Sequence, residues 1–398
     1  MPSMLPVHRL RERALLAAAA ALASVTFSPF ALTAPAHADT PTPSDLLRAG
    51  MNKGLSDGYP GVIGLIRNGD SVGRLSVGTG NRATGQAADP ASQFRIGSLT
   101  KVFTATVLLQ LEAEGKLSLD DTVAKRLPGA VNTNGYDGNK ITIRQLLNHT
   151  SGLPDYSTMD ISAYWLGRDL GVAYPPQTLV NKVLSETGPR APENPAQAHY
   201  SNINYILAGM VIQAVTGNDP AVEIGNRIFQ PLGLRSTSFP TSDPGLHGNF
   251  MYGYAYMGIW PFISLNERST SNVQIFWTAG AIVSTLDDLN TFYRALFTGR
   301  LLPAAQMSEL KTTVPFPDNS PTSSYGLGII RVVHTCADGR QVPIWVHTGG
   351  VIGYFSYWMS NEDGSKQILM AANENHLQPD TPGEVDLNNG AATAFCAM

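Results

Sequence analysis

The chain has 398 residues, 43% of them hydrophobic and 15% charged, with a formal net charge of −4. That apolar content can bury a sizeable core, and an acidic balance with no Lys/Arg stripe excludes nucleic acid as a partner, since no row of cations is there to displace phosphate counterions. The two cysteines, Cys336 and Cys396, lack metal-ligand spacing.

The first residues read as an export signal. Arg9, Arg11 and Arg13 precede the apolar run Ala14 to Ala23, and Ala36-His37-Ala38 offers a small-residue cleavage site before Asp39. The run is short of the ~20 residues a spanning helix needs, and Pro29 and Pro35 interrupt the residues after it, so no stable membrane span is expected after signal removal. The expectation is a secreted protein. Removal of residues 1–38 from 398 leaves 360, and the lost segment carries three Arg against one Glu, so −4 becomes about −6. A chain of that length exceeds the ~250 residues at which one core usually divides. Two packed lobes are expected, an α/β lobe from 39–97 and 300–398 and a helical lobe from 98–299.

After a Pro/Thr/Ser linker (40–44), Asp45 to Met51 reads as a helix, Gly61 to Gly69 as a strand and turn, and Arg74 to Val77 as its hairpin partner. Gly54-Leu55-Ser56-Asp57-Gly58 matches a nucleophile elbow in letters only. That elbow needs a strand before it and a helix after it, and here the order is reversed.

Phe94-Arg95-Ile96-Gly97-Ser98-Leu99-Thr100-Lys101 then places a hydroxyl and an amine three residues apart at the mouth of a helix predicted over Val102 to Glu114. Residues so spaced share a helix face. Burial beside Val107, Leu108 and Leu111 disfavours the charged amine and leaves it able to accept the serine proton. A helix start also aims free N–H groups at an oxyanion. Ser308-Glu309-Leu310-Lys311 has the same spacing on an ordinary amphipathic segment and reads as a solvated face, so partners must decide.

Two partners come later in the chain. His199-Tyr200-Ser201-Asn202, after the Pro-rich stretch at Pro189, Pro192 and Pro195, feeds a helix predicted over Ile206 to Thr216; its phenol can shuttle a proton and its carboxamide can bond a substrate amide. A further helix is predicted over Leu286 to Phe297. Strand-like runs then recur at Gly326 to Val333, Val342 to Val346, Tyr354 to Met359 and Gln367 to Ala371, adjacent hairpins that call for an antiparallel sheet. The apolar run Ile344-Trp345-Val346 ends in His347-Thr348-Gly349-Gly350, a polar edge whose glycines admit the backbone of a peptide-like ligand. His149-Thr150 and His334-Thr335 repeat the His-Thr pair without the glycines and read as structural.

Ser98/Lys101, Tyr200/Asn202 and His347-Thr348-Gly349, in this order, resemble the three active-site elements of the penicillin-recognising serine hydrolases. The likeness is to the secreted serine D-alanyl-D-alanine carboxypeptidases and the class C β-lactamases. It runs from about Ser44 to the C-terminus and includes Leu146 to Tyr156, Ala279 to Thr285 and Tyr325 to Gly328. The resemblance implies an α+β fold of the β-lactamase/transpeptidase-like kind, with an antiparallel sheet flanked by terminal helices and an inserted, mostly helical lobe.

It also implies roles. Ser98 would attack an acyl carbonyl whose oxyanion rests on the N–H groups of Ser98 and Gly350. Lys101 and Tyr200 would share proton transfer, and which of them is the base stays open. Asn202, Thr348 and Gly349 would orient the substrate, and His347 would hold the proton network near Tyr200. With histidine where β-lactamases carry lysine, the pattern is carboxypeptidase-like, and activity is expected to respond near the ordinary imidazole value of about 6.5. Trp277 either matches an aromatic that lines the cleft in the family or is simply packed; Arg331 either meets a substrate carboxylate or is an exposed strand residue.

The expected activity is cleavage of terminal D-alanine from a peptidoglycan-type peptide through an acyl-enzyme, with β-lactams as acylating ligands. A β-lactamase, an esterase or a D-amino-acid amidase on the same machinery is the alternative. No metal or organic cofactor is implied. The resemblance favours a Cys336–Cys396 bridge between the last helix and a sheet edge, which would contribute roughly 4 kcal/mol by closing a long loop.

Overall fold

The computed structural model describes residues 40–155, 161–186, 188, 196–257, 264–316, 322–375 and 382–398. The expected export segment 1–38 and the prolines at 189, 192 and 195 lie outside them.

Among the described residues nine strands form one antiparallel sheet, in the spatial order Gln86–Ala87, Ser71–Asn81, Gly61–Asn68, Lys366–Ala372, Tyr354–Ser360, Gln341–Val351, Ile330–Thr335, Ser324–Tyr325 and Val314–Pro315. The first long strand pairs with the last, Val62 opposite Ala372 and Asn68 opposite Lys366. The chain therefore opens the sheet, leaves it, and returns to close it.

Both faces of this sheet are covered, which is why its strands read as continuous apolar runs. Side chains alternate between faces along a strand. Ile63, Leu65, Trp345, Trp358, Leu369 and Ala371 join a core shared with the helices of the excursion. Their neighbours Val62, Ile66, Ile344, Val346, Met359, Ile368 and Met370 join a second core under the terminal helices Pro43–Ser56 and Pro382–Cys396. Cys336, just beyond the strand Ile330–Thr335, is disulfide-bonded to Cys396 at the end of the last helix, with Cα atoms 5.8 Å apart.

The helix predicted from Val102 runs over Thr100–Ala113 and is buried on nearly every side. A helix apolar all round belongs in the interior. Phe103 stacks on Phe292 of the helix Leu286–Phe297 with centroids 3.7 Å apart, and Tyr293 of that helix stacks on Trp358 of the sheet at 3.8 Å. These contacts fix the helical layer on the sheet.

Three expectations shift. The strand read as Val342–Val346 continues to Val351 and carries His347 to Gly350 with it. The one read from Gly326 begins at Ile330, because Gly326 and Leu327 donate their N–H groups to Ile329 and Leu310 instead of a ladder partner. The region 98–299 also holds strand segments, Tyr254–Met257 paired with Ser264–Glu267 and Val283–Ser284 paired with Phe94–Arg95. Among the described residues no helix is long and apolar enough to cross a membrane.

Candidate active site

The segment carrying Ser98 meets the sheet backbone to backbone. Phe94–Arg95 pairs with Val283–Ser284, Gly97 turns at φ +52°, and a 3-10 turn over Gly97–Leu99 feeds the helix from Thr100. A Cβ at Gly97 would fall 2.8 Å from Gly350 N, and one at Gly349 would fall 2.1 Å from Ile96 O. Glycine at both positions is what lets the two chains touch. The Ser356 hydroxyl donates to Ile96 O at 2.9 Å and pins the contact. The neighbouring strand pairs only as far as Val346, so His347–Val351 keeps one edge free beside Ser98.

Lys101 is fully buried, with Nζ 3.0 Å from Ser98 Oγ, 2.7 Å from Asn202 Oδ1 and 2.9 Å from Ala279 O. Burial lowers the amine from 10.5 to about 7, opposed by the Asp155 carboxylate. Carbonyl oxygens only accept, so Asn202 and Ala279 take two N–H bonds and the third direction of Nζ points at Ser98. In the neutral amine that direction is a lone pair facing the serine proton.

Ala279 reaches Lys101 from a strained turn. Trp277 sits at φ +32°, and the short helix Trp277–Gly280 is tied by Thr104 Oγ1 donating to Thr278 O at 2.8 Å and Thr278 Oγ1 donating to Tyr205 O at 2.7 Å. Trp277 is buried and packed in the core, the second of its two readings. This residue serves the site through its backbone.

The second wall is the start of the helix Asn202–Thr216, which begins earlier than its apolar periodicity foretold. Tyr200 hydrogen-bonds to Ser98, and desolvation pushes its phenol well above 10, so it stays protonated. Its ring lies 4.8 Å from Lys101 Nζ. Ser201 gives no side-chain cap to the helix. Instead Asp155 Oδ1 accepts the Asn202 N–H at 2.8 Å.

His347 is buried with its ring 6.4 Å from that of Tyr200, and its own hydrogen bonds run to Thr348 and Tyr325. The Thr348 carbonyl can only accept, so Nδ1–H donates to it at 2.6 Å, and Nε2 accepts from the Tyr325 hydroxyl at 3.0 Å. Burial and the nearby Lys101 lower this imidazole to about 3. The expected response near 6.5 therefore cannot come from His347.

Two further candidates lie elsewhere. Alternation turns the Thr348 side chain away from His347 and Gly349, into a cavity of about 200 Å³ on the terminal-helix face with Ile330, Val346 and Asn388. Arg331 pairs with Glu362 at 3.7 Å, opposite Trp345, whose Nε1–H also donates to Glu362. It takes the strand-residue alternative. Ser98, Lys101, Tyr200, Asn202, Gly349 and Gly350 do gather at one place; Gly350 is exposed, with its nitrogen beside Gly97.

The competing serines are remote in function. Ser56 ends the first helix, exposed, with Oγ donating to Asn52 O. Ser308 is exposed on the helix Ala304–Lys311, while Lys311 lies 4.7 Å from the Phe297 ring centroid and donates to Glu362 O.

Four contributors escaped the sequence reading as site residues: Asp155, Tyr325, His149 and the Ala279 carbonyl. His149 is fully buried at φ +60°, accepts from Ser201 N and Asn204 Nδ2 on Nδ1, and stacks 4.4 Å from the Tyr200 ring. Its value as a support shows only once 149 and 200 are side by side.

The Beta-lactamase family model matches residues 44–392. Penicillin-binding protein 4* of Bacillus subtilis (strain 168) is 28% identical over 323 residues, 79% of this chain and 68% of that protein. The structure of a D-stereospecific amidohydrolase from Streptomyces sp. superposes with a TM-score of 0.74 at 36% identity, covering 83% of this chain and 94% of that one. D-amino acid amidase from Ochrobactrum anthropi SV3, complexed with L-phenylalanine amide, shares the fold at TM-score 0.73 and 22% identity, over 89% of this chain and 98% of that one.

Proposed function

The chain belongs to the Beta-lactamase family, as a serine hydrolase of the β-lactamase and penicillin-binding-protein superfamily, and on that premise we propose that it cleaves amide bonds of D-configured acyl donors through an acyl-enzyme on Ser98. The observation that carries the reading is Lys101 Nζ, 3.0 Å from Ser98 Oγ with its other two directions occupied. Lys101 takes the serine proton as Ser98 Oγ bonds to the carbonyl carbon. The oxyanion rests on the N–H groups of Ser98 and Gly350, where each such donor contributes roughly 3 kcal/mol. Tyr200 passes a proton to the leaving nitrogen as the C–N bond breaks, and water then releases the acid from Ser98.

Substrate choice follows from Arg331. A terminal D-alanine presents a free carboxylate that a cation should meet, yet among the described candidates Arg331 lies beside Glu362 and opposite Trp345, and His347 is neutral. A neutral carboxyl end, such as an amide, suits this site better, in keeping with the likeness to a D-stereospecific amidohydrolase. The D-Ala-D-Ala carboxypeptidase is the second reading, favoured by the free edge at His347–Val351, along which a peptide can add as a strand.

Kinetics on a D-Ala-D-Ala peptide, its C-terminal amide, the L-configured amide and a penicillin will decide. The D-amide is expected to exceed the free-carboxylate peptide by at least about tenfold in kcat/KM, a difference of ~1.4 kcal/mol. The reverse order promotes the carboxypeptidase, and fast penicillin hydrolysis promotes the β-lactamase. We also propose export with cleavage after Ala38, supported by the Arg9 to Ala38 pattern; an exported protein whose N-terminal mass starts at Asp39 is the expected outcome.

A further inference from the structure

We propose that Asp155 is a positioning residue of the reaction, fixing the Asn202 amide with its oxygen toward Lys101 and supplying the carboxylate that balances the amine's charge. The proposal rests on reading Lys101 as the proton acceptor.

A carboxamide has two ends of equal size, and something must choose which faces Lys101. Asn202 Nδ2 donates to Asp155 Oδ1 at 3.1 Å and lies 3.2 Å from Oδ2, while Oδ1 of the same amide is 2.7 Å from Lys101 Nζ. A carboxylate has no proton to give. The opposite amide orientation would set oxygen against carboxylate, and would turn N–H toward the amine, where it repels the ammonium or takes up the lone pair meant for the Ser98 proton. Asp155 therefore decides that Lys101 finds an acceptor at Asn202, and so that its remaining direction is toward Ser98.

The carboxylate is itself held fast. Its Oδ1 accepts the Asn202 backbone N–H at 2.8 Å at the first turn of the helix, where the macrodipole favours an anion. Ser201 Oγ donates to Pro154 O at 2.8 Å, and His149 on the same segment accepts from Ser201 N and Asn204 Nδ2.

Lys101 is faced from several elements. The 148–155 segment offers His149 and Asp155, the start of the helix offers Tyr200 and Tyr205, the sheet offers His347, and Ser98 lies on its own element. Burial lowers both imidazoles and raises both phenols, keeping all four neutral. Asp155 is the carboxylate of the set, and its charge raises the amine against the pull of desolvation.

The test is the pH profile of kcat/KM on the amide substrate for wild type, Asp155→Asn and Asp155→Glu. In Asp155→Asn the acid limb should move to lower pH by about one unit, the scale of an opposite charge removed at close range. In Asp155→Glu the charge stays and the limb stays, but kcat falls at least about fivefold because the carboxylate no longer fits the amide. A limb unmoved in Asp155→Asn overturns the proposal alone, whereas a wild type with no limb near 7 overturns the Lys101 reading and the proposal with it. Should Asp155→Asn not fold, Asp155→Glu decides: wild-type kcat, or a displaced limb, overturns the assignment.

Discussion

Replacing Ser98 by alanine will abolish covalent capture of a penicillin and reduce amide turnover by about 10⁴-fold or more, the scale of removing a covalent nucleophile. The expectation follows from where the groups point. Ser98 Oγ is the hydroxyl that faces Lys101 Nζ, and it also hydrogen-bonds to Tyr200. Ser56→Ala and Ser308→Ala should stay within about twofold of wild type, since surface substitutions away from special features change little and both serines are exposed. Intact-protein mass after incubation with penicillin, beside the kinetics, makes the check. An adduct that persists on the Ser98 variant removes Ser98 from its role.

Much of this site was readable because its chemistry comes in short runs. Ser98 and Lys101 are one helical turn apart, Tyr200 and Asn202 share a loop, and the His347 element sits at the end of an apolar strand. The sheet was readable for a related reason: pleat alternation with both faces covered leaves continuous apolar runs. The hidden contributors act across long separations. Asp155 meets Asn202 only in the fold, and Ala279 contributes a carbonyl that its side chain does not advertise.

Arg331 stayed open between two readings for the converse reason. A cation on a strand is free in a sequence, and nothing along the chain announces that Glu362 will fold back to hold it. His347 misled through burial. An imidazole met in sequence titrates near 6.5, but one enclosed at 2% exposure between Tyr325 and its own strand stays neutral, because the imidazolium would be desolvated beside Lys101. The same enclosure that makes His347 inert makes Lys101 reactive, since burial disfavours the charged form of both.

A titration near neutrality should accordingly belong to Lys101. Below about 7 the amine is an ammonium with no lone pair for the Ser98 proton, and above it the amine is free. Wild-type kcat/KM should therefore fall about tenfold per pH unit on the acid side, where the profile reports the free enzyme, and level off above. Tyr200, raised by desolvation, adds no limb between 7 and 10. His347→Gln should lose turnover yet keep the limb, because His347 is already neutral there. Lys101→Met should cost about 10²- to 10⁴-fold in kcat/KM, the usual span for a positioned base, and leave the residue of activity flat across this range. Tyr200→Phe added to Lys101→Met should cost far less than the product of the two single losses, since both groups move one proton. Stability should also rise with pH. The amine is lowered from 10.5 to about 7 on folding, so the folded chain binds fewer protons than the unfolded one between those values and gains stability as pH rises through them. Lys101→Met removes that penalty but leaves Asn202 Oδ1 and Ala279 O without the amine that bonds them, so its stability relative to wild type should be greatest below about 7 and decline toward 10.5. A limb that survives in Lys101→Met, or a stability difference between variant and wild type that does not change between pH 7 and 10.5, would show that the buried amine is not the group that titrates.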